Sequence, residues 1–138
     1  MTPHQLAEIH AAAFTQSRAW SAAELADLLA GPYVQAWTAA QGFALTRTLA
    51  GESELLTLAV HPDARRRGIA RGLLQDWLDT LEGNADTAFL DVAADNTAAI
   101  ALYETLQFER AGLRRGYYAR QGGRSVDALL MKRAITQG

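Results

Sequence analysis

No cysteine occurs among the 138 residues of this chain. That excludes disulfides, thiolate metal sites and a cysteine nucleophile, and it fits a reducing cytoplasm, the expected location. No apolar run approaches the length of a membrane span. The N-terminus lacks the basic-then-apolar pattern of a signal peptide, so both ends read as ordinary chain ends. There is little net charge, −2 formally, so the chain as a whole does not read as a nucleic-acid binder. His4, His10 and His61 are isolated, without metal-ligand spacing, and read as surface or boundary histidines. Neither G-x-x-x-x-G-K-[ST] nor G-x-G-x-x-G is present. Low-complexity tracts, internal repeats and linkers are also absent. What remains is one domain, 1–138, with 49% apolar residues and length enough for a core.

Against this background one stretch stands out, Arg65-Arg66-Arg67-Gly68-Ile69-Ala70-Arg71. It follows the apolar run Leu55 to Val60 and the break His61-Pro62, and it opens an amphipathic segment that runs to about Leu81. Strand, turn, glycine, helix is the order that presents backbone N–H groups to an anion. Gly68 lets a phosphate approach the main chain without a Cβ in the way, and the four arginines add charge. The stretch therefore reads as a site for a pyrophosphate-bearing cofactor. The plainer reading is a basic turn capping a surface helix; the strand before and the helix after weigh against it.

Periodicity supplies the other elements. Pro3 to about Phe14 reads as a helix with Leu6, Ile9, His10 and Ala13 on one stripe. Ser21-Ala22-Ala23-Glu24 is a capping box that starts a second helix ending near Ala30. Val34 to Thr38 and Phe43 to Leu49 read as strands about a Gln41-Gly42 turn. Gly51-Glu52-Ser53 reads as the next turn and Glu54 to Val60 as the third strand. Ile69, Leu73, Leu74, Trp77, Leu78 and Leu81 form the buried stripe of the helix after the glycine, which Gly83-Asn84 ends. Ala88 to Val92 is a near-continuous apolar strand, as expected in a sheet covered on both faces. Asn96 or Asp95 caps a further helix through Leu106. Two strands follow, around Glu109 to Tyr117 and Val126 to Met131. Trp20, Trp37 and Trp77 are expected in the core.

The spacing Val60, Pro62, Arg65, Gly68, Ala70, Leu73 resembles the acetyl-coenzyme A loop of the Gcn5-related N-acetyltransferase (GNAT) superfamily. Phe89-Leu90-Asp91-Val92, Asp95-Asn96, Ala99 to Glu104, Phe108 and Arg114 to Tyr118 follow in order. Together with the loop they resemble the bacterial ribosomal-protein-alanine N-acetyltransferases. The likeness runs from about Glu52 to Met131; before residue 50 it rests on Trp20-Ser21 alone. It implies an α/β (α+β) fold, with a central mixed, mostly antiparallel sheet flanked by about four helices. It implies acetyl transfer from acetyl-coenzyme A, without metal, to the N-terminal alanine of a small-subunit ribosomal protein. It goes with a monomer that binds neither nucleic acid nor membrane. By the same resemblance, the backbone of Leu58, Ala59 and Val60 holds the pantetheine arm. Arg66, Arg67, Gly68, Ile69, Ala70 and Arg71 hold the pyrophosphate, and Asn96 contacts the cofactor. Asp91 takes the position of the general base and Tyr103 that of the general acid.

Amine acetylation needs a neutral amine and a proton for the departing thiolate, which a carboxylate or ordered water and a phenol can supply. The residues alone leave the base open between Asp91, Glu54 and water. Asp91 lies on a strand that otherwise reads as buried, where an unpaired carboxylate is costly. Glu54 reads equally as an exposed strand-end charge. Tyr103, on a core stripe, reads by itself as a packing residue, and Asn96 as a helix cap. Arg114-Arg115 and Tyr117-Tyr118 read equally as a substrate entrance or a solvated edge. Three departures from the family stand out. Asp91 is one methylene shorter than the usual glutamate, which points to a bridging water. Gln107 replaces a glycine at a position that often has φ > 0. The chain starts at its first helix, so the sheet is expected to be one strand shorter there. A small-molecule amine or a lysine is the alternative acceptor, and a non-catalytic acyl-coenzyme A sensor the alternative of another class.

Overall fold

The computed structural model describes residues 1–14, 20–120 and 122–136. The elements run α1 (Pro3–Ala13), α2 (Ala22–Leu29), β1 (Val34–Ala39), β2 (Gly42–Leu49), β3 (Glu52–Val60), α3 (Ile69–Asp79), β4 (Thr87–Ala93), α4 (Thr97–Thr105), β5 (Glu109–Ala119) and β6 (Ser125–Ala134), with one 3-10 turn at Pro62–Ala64. The strands form a six-stranded sheet in the order β1-β2-β3-β4-β6-β5. Every pairing is antiparallel except β3 with β4. Among the described residues this is the mixed, mostly antiparallel sheet with four α-helices that the family resemblance implied.

Local chemistry fixes the helix starts. The Ser21 hydroxyl accepts from the Glu24 N–H, and the Glu24 carboxylate accepts from the Ser21 N–H, completing the expected capping box. Thr2 and Gln5 do the same for α1. Asn96, rather than Asp95, caps α4 by accepting from the Ala99 N–H. The hairpins turn earlier than the glycines suggested. Ala50 and Gly51, at φ 54° and 84°, make the β2–β3 turn alone. Positive φ at both central residues matches the twist of the flanking strands, so β3 starts at Glu52 and not Glu54. Likewise Ala40-Gln41 turns β1 into β2, and Gly42 lies within β2. A Cβ on Gly42 would come within 2.7 Å of Ile69 Cγ2, so this glycine allows α3 to approach the sheet closely.

Two apolar clusters cover opposite faces. On one, α3 and α4 pack Leu74, Trp77, Leu78, Ile100 and Tyr103 against Leu90, Val92, Leu129 and Met131. On the other, α1 and α2 pack Leu6, Ile9 and Leu25 against Phe43, Leu45 and Ala59. Each fully buried side chain of this size contributes about 1.5–3 kcal/mol. Trp77 is wholly buried and donates its indole N–H to Ser53 Oγ at 2.9 Å. Trp20 and Trp37 are only half-buried, with Trp37 Nε1–H donating to Thr46 Oγ1. His10 departs from the surface reading: it is 2% exposed. Its Nδ1 accepts the Trp20 backbone N–H, its Nε2 lies 3.3 Å from Thr57 Oγ1, and its ring stacks on Phe14. A histidine on the apolar stripe of α1 thus joins that helix to β3 and to the start of α2.

Candidate active site

β3 and β4 pair only over Glu52–Glu54 and Thr87–Phe89. Beyond that point β3 continues to Val60 bonded to β2, and β4 to Ala93 bonded to β6, without pairing to each other. The parallel strands part at the centre of the sheet. The edge of β3 over 55–60, which includes Leu58, Ala59 and Val60, therefore turns unpaired backbone toward the gap.

The glycine loop lies at the open end of β3. Gly68 is the residue before α3, with φ 75° and no side-chain cap on the helix. Nothing lies within 4 Å of where its Cβ would be. The first N–H groups of α3 have no partner within the helix, and the helix dipole adds positive potential. A cavity of about 250 Å³ opens here, lined by Val60, Ala64, Arg65, Arg66, Gly68, Ile69, Ala70, Arg71 and Leu102. Arg66, at φ 65°, and Arg67 are exposed beside it. The four arginines divide their work. Arg65 donates to the Ala13 carbonyl at 3.3 Å, and Arg71 donates to Thr105 Oγ1 at 2.7 Å, tying α3 to α4. A dense phosphate with a long flexible tail fits this arrangement: N–H groups and cations at the mouth, an open strand edge behind.

Asp91 lies across the gap on β4. Its neighbours Leu90 and Val92 face α3 and α4. Alternation along the strand places Asp91 on the opposite face, level with its partner Leu130 on β6. Asp91 Oδ1 is buried without a hydrogen-bond partner among the described residues. Glu54, the other candidate base, accepts from Arg47 Nη2 at 2.9 Å at the paired end of β3. Tyr103 comes from α4, buried, with its ring edge-on to Phe108. Burial pushes its phenol well above the ordinary tyrosine range, and Tyr118 adds to the rise.

Tyr118 is the member of this group whose role the sequence left undecided. It stands opposite Val126, on the same face as Asp91. Its phenol is pushed up to about 12, first by burial, then by the Asp91 carboxylate and Tyr117; Arg120 and Arg114 oppose the rise. Arg114 lies 5.1 Å over the Tyr117 ring, which meets Tyr118 edge-on. Arg120 donates to Asp95 Oδ1 at 2.8 Å, closing the end of β5 onto the start of α4. Asn96 is exposed beside it and already serves as the α4 cap. A second cavity, under α1, is lined by Met1, Gln5, Glu8, Ile9, Gln41 and His61 and contains none of these groups. Among the described residues no cluster of His, Cys, Asp and Glu could hold a metal.

The raised phenol sets an alkaline limit. Between pH 10 and 12 the unfolded chain loses the Tyr118 proton while the native chain keeps it. The native state then binds more protons, so stability falls as pH rises through that window and is unaffected by this group below it. Urea midpoints are expected to be level up to about pH 9.5 and to fall above pH 10, with a smaller fall in Tyr118→Phe.

The comparisons with known proteins agree with this geometry. The acetyltransferase (GNAT) family profile matches residues 5–108. The chain is 44% identical over 95 residues to the ribosomal protein bS18-alanine N-acetyltransferase of Escherichia coli K12, a match covering 68% of this chain and 64% of that protein. It thus spans just under two thirds of that relative's length. It is 39% identical over 136 residues to the N-alpha-acetyltransferase RimI of Mycobacterium tuberculosis, covering 92% of this chain and 83% of that one. The crystal structure of the E. coli enzyme superposes with a TM-score of 0.88 at 34% identity, over 99% of this chain and 89% of that one. Parted parallel strands, a glycine-led helix beside them and this breadth of matching sequence lead to one assignment: the chain belongs to the GNAT acetyltransferase family.

Proposed function

We propose that this protein transfers an acetyl group from acetyl-coenzyme A to the N-terminal α-amine of an alanine-initiated ribosomal protein of the small subunit, in the cytoplasm. The observation that carries the proposal is the orphaned Asp91 Oδ1, set on the opposite sheet face from the glycine-loop helix, the face that also carries Tyr118. A buried carboxylate oxygen without a donor is costly. An incoming ammonium, or a water hydrogen-bonded to it, supplies that donor. The E. coli relative's name, which specifies bS18 alanine, supports the choice of acceptor.

The residues divide the chemistry between the two faces. The N–H groups of Ile69, Ala70 and Arg71, with Arg66 and Arg67, hold the pyrophosphate, and the backbone of Leu58, Ala59 and Val60 orients the arm. Bound acetyl-coenzyme A supplies the thioester whose carbonyl the amine attacks. Asp91 accepts the ammonium proton, through water because its side chain is short. Tyr118 flanks the acceptor. Tyr103, held protonated by burial, donates a proton to the departing thiolate. Much of the rate comes from holding both reactants in position. Glu54, engaged by Arg47, is left as a structural charge.

A peptide that begins with alanine and carries one internal lysine tests the acceptor. Fragment mass spectrometry is expected to find acetate on the α-amine. Acetate mainly on the lysine moves the enzyme to the side-chain acetyltransferases.

A further inference from the structure

Tyr118 reaches its position through an irregularity in β5. Arg114 stands opposite Ala128 and Tyr118 opposite Val126, so four steps on β5 match two on β6. Two additional residues are accommodated in this bulge. In regular pairing Gly116 would oppose Val126, and Tyr118 would sit two residues further toward the Gly122-Gly123 turn, a displacement of about 7 Å. The bulge draws Tyr118 back toward Asp91. It turns on Gly116, at φ 60°, and Gly116 has one distinctive partner: its N–H donates to Asp127 Oδ1 at 2.8 Å. The Asp127 backbone carbonyl in turn accepts from the Ala94 N–H at 2.8 Å, just past the end of β4. One residue of β6 therefore fixes both the bulge of β5 and the exit of the strand that carries Asp91.

We propose that Asp127 is a positioning residue, whose carboxylate latches the β5 bulge and so aims Tyr118 at the acceptor. The inference rests on the acceptor reading above. It explains why a carboxylate stands here, since a bulge leaves an N–H without a ladder partner and a charged acceptor binds it more strongly than a neutral one. Gly116 belongs to the same device: at its φ a side chain is strained, and a Cβ would meet Ser125 Oγ at 3.3 Å.

The test compares wild type, Asp127→Ala, Asp127→Asn, Gly116→Ala and Tyr118→Phe, alone and with Asp127→Ala combined with Tyr118→Phe. Asp127→Ala keeps the backbone bond to Ala94 and loses only the latch. It is expected to lower kcat/KM for the alanine peptide roughly tenfold, through the peptide KM, with acetyl-coenzyme A affinity unchanged. Gly116→Ala should do likewise. Asp127→Asn retains an acceptor oxygen and should recover most of the loss. In the Tyr118→Phe background Asp127→Ala should add little, because both act through one side chain. NMR gives a readout without substrate: in Asp127→Ala the Gly116 amide exchanges faster and the Tyr118 ring resonances shift, and neither changes in Asp127→Asn. An unmoved Tyr118 resonance, equal losses in the Ala and Asn variants, or full additivity with Tyr118→Phe would overturn the proposal. If wild type acetylates no N-terminal alanine, the acceptor reading has failed; the Tyr118 resonance then decides the latch alone, shifted in its favour or unmoved against it.

Discussion

Gly68→Glu is expected to abolish acetyl-coenzyme A binding. Gly68 leads into α3 at φ 75°, with open space where a Cβ would project. A glutamate there costs on the order of 1 kcal/mol in backbone strain alone. Its carboxylate would stand at a helix N-terminus, in the place proposed for the phosphate, and would repel that group. Loss of several kcal/mol is expected, roughly 10³-fold or more in Kd. The fold should survive, since the position is exposed and makes no core contact. Calorimetry on the folded variant checks this. Wild-type affinity would mean that the pyrophosphate is not held at the α3 N-terminus.

The second large effect is on turnover. Tyr103→Phe removes one hydroxyl from a buried side chain of α4 and leaves its packing on Phe108 in place. With the proposed proton donor gone, kcat is expected to fall roughly 10²-fold or more. Acetyl-coenzyme A affinity should barely change. Asp91→Asn keeps the shape but removes the proposed base, so its deficit should grow below neutral pH, where free amine is scarce. Asp91→Glu should preserve activity, because it keeps a carboxylate on this face of β4. Glu54→Gln should cost less than Asp91→Asn, since Glu54 is engaged by Arg47 rather than orphaned. Stopped-flow and pH–rate measurements decide the assignment: a damaging Glu54→Gln beside a near-normal Asp91→Asn would place the base on β3 and overturn its assignment to β4.

Much of this was legible in the sequence because it is local. The α3 stripe from Ile69 to Leu78, the Ser21–Glu24 capping box and the Asn96 cap are written within a few residues of where they act. Gly68 is legible for the same reason, since strand, turn, glycine and helix follow directly. Gln107, in the place of a glycine, has a φ of 71° and so occupies a glycine-like conformation. What the sequence conceals is set by long-range pairing. Nothing in Leu55 to Val60 or Leu90 to Ala93 records that these strands stop pairing, because both remain bonded on their other edges. Tyr118 is concealed likewise: its position along the sheet depends on two additional residues whose effect exists only relative to β6. His10 looked like a boundary residue because its partners, Trp20 and Thr57, come from elsewhere in the chain. Alternation did place Asp91 among buried neighbours, but only the sheet reveals that it faces away from α3 and α4.

Acetylation of the N-terminal alanine of a small-subunit ribosomal protein, as proposed, would change that protein's mass in the cell. Intact-mass spectrometry of ribosomal proteins from cells with and without this gene tests it most directly. One small-subunit protein is expected to be lighter by a single acetyl group in the deletion, the difference mapping to an N-terminal alanine. The mass should be restored by the wild-type gene and not by Tyr103→Phe. Identical ribosomal protein masses in the two strains would contradict it.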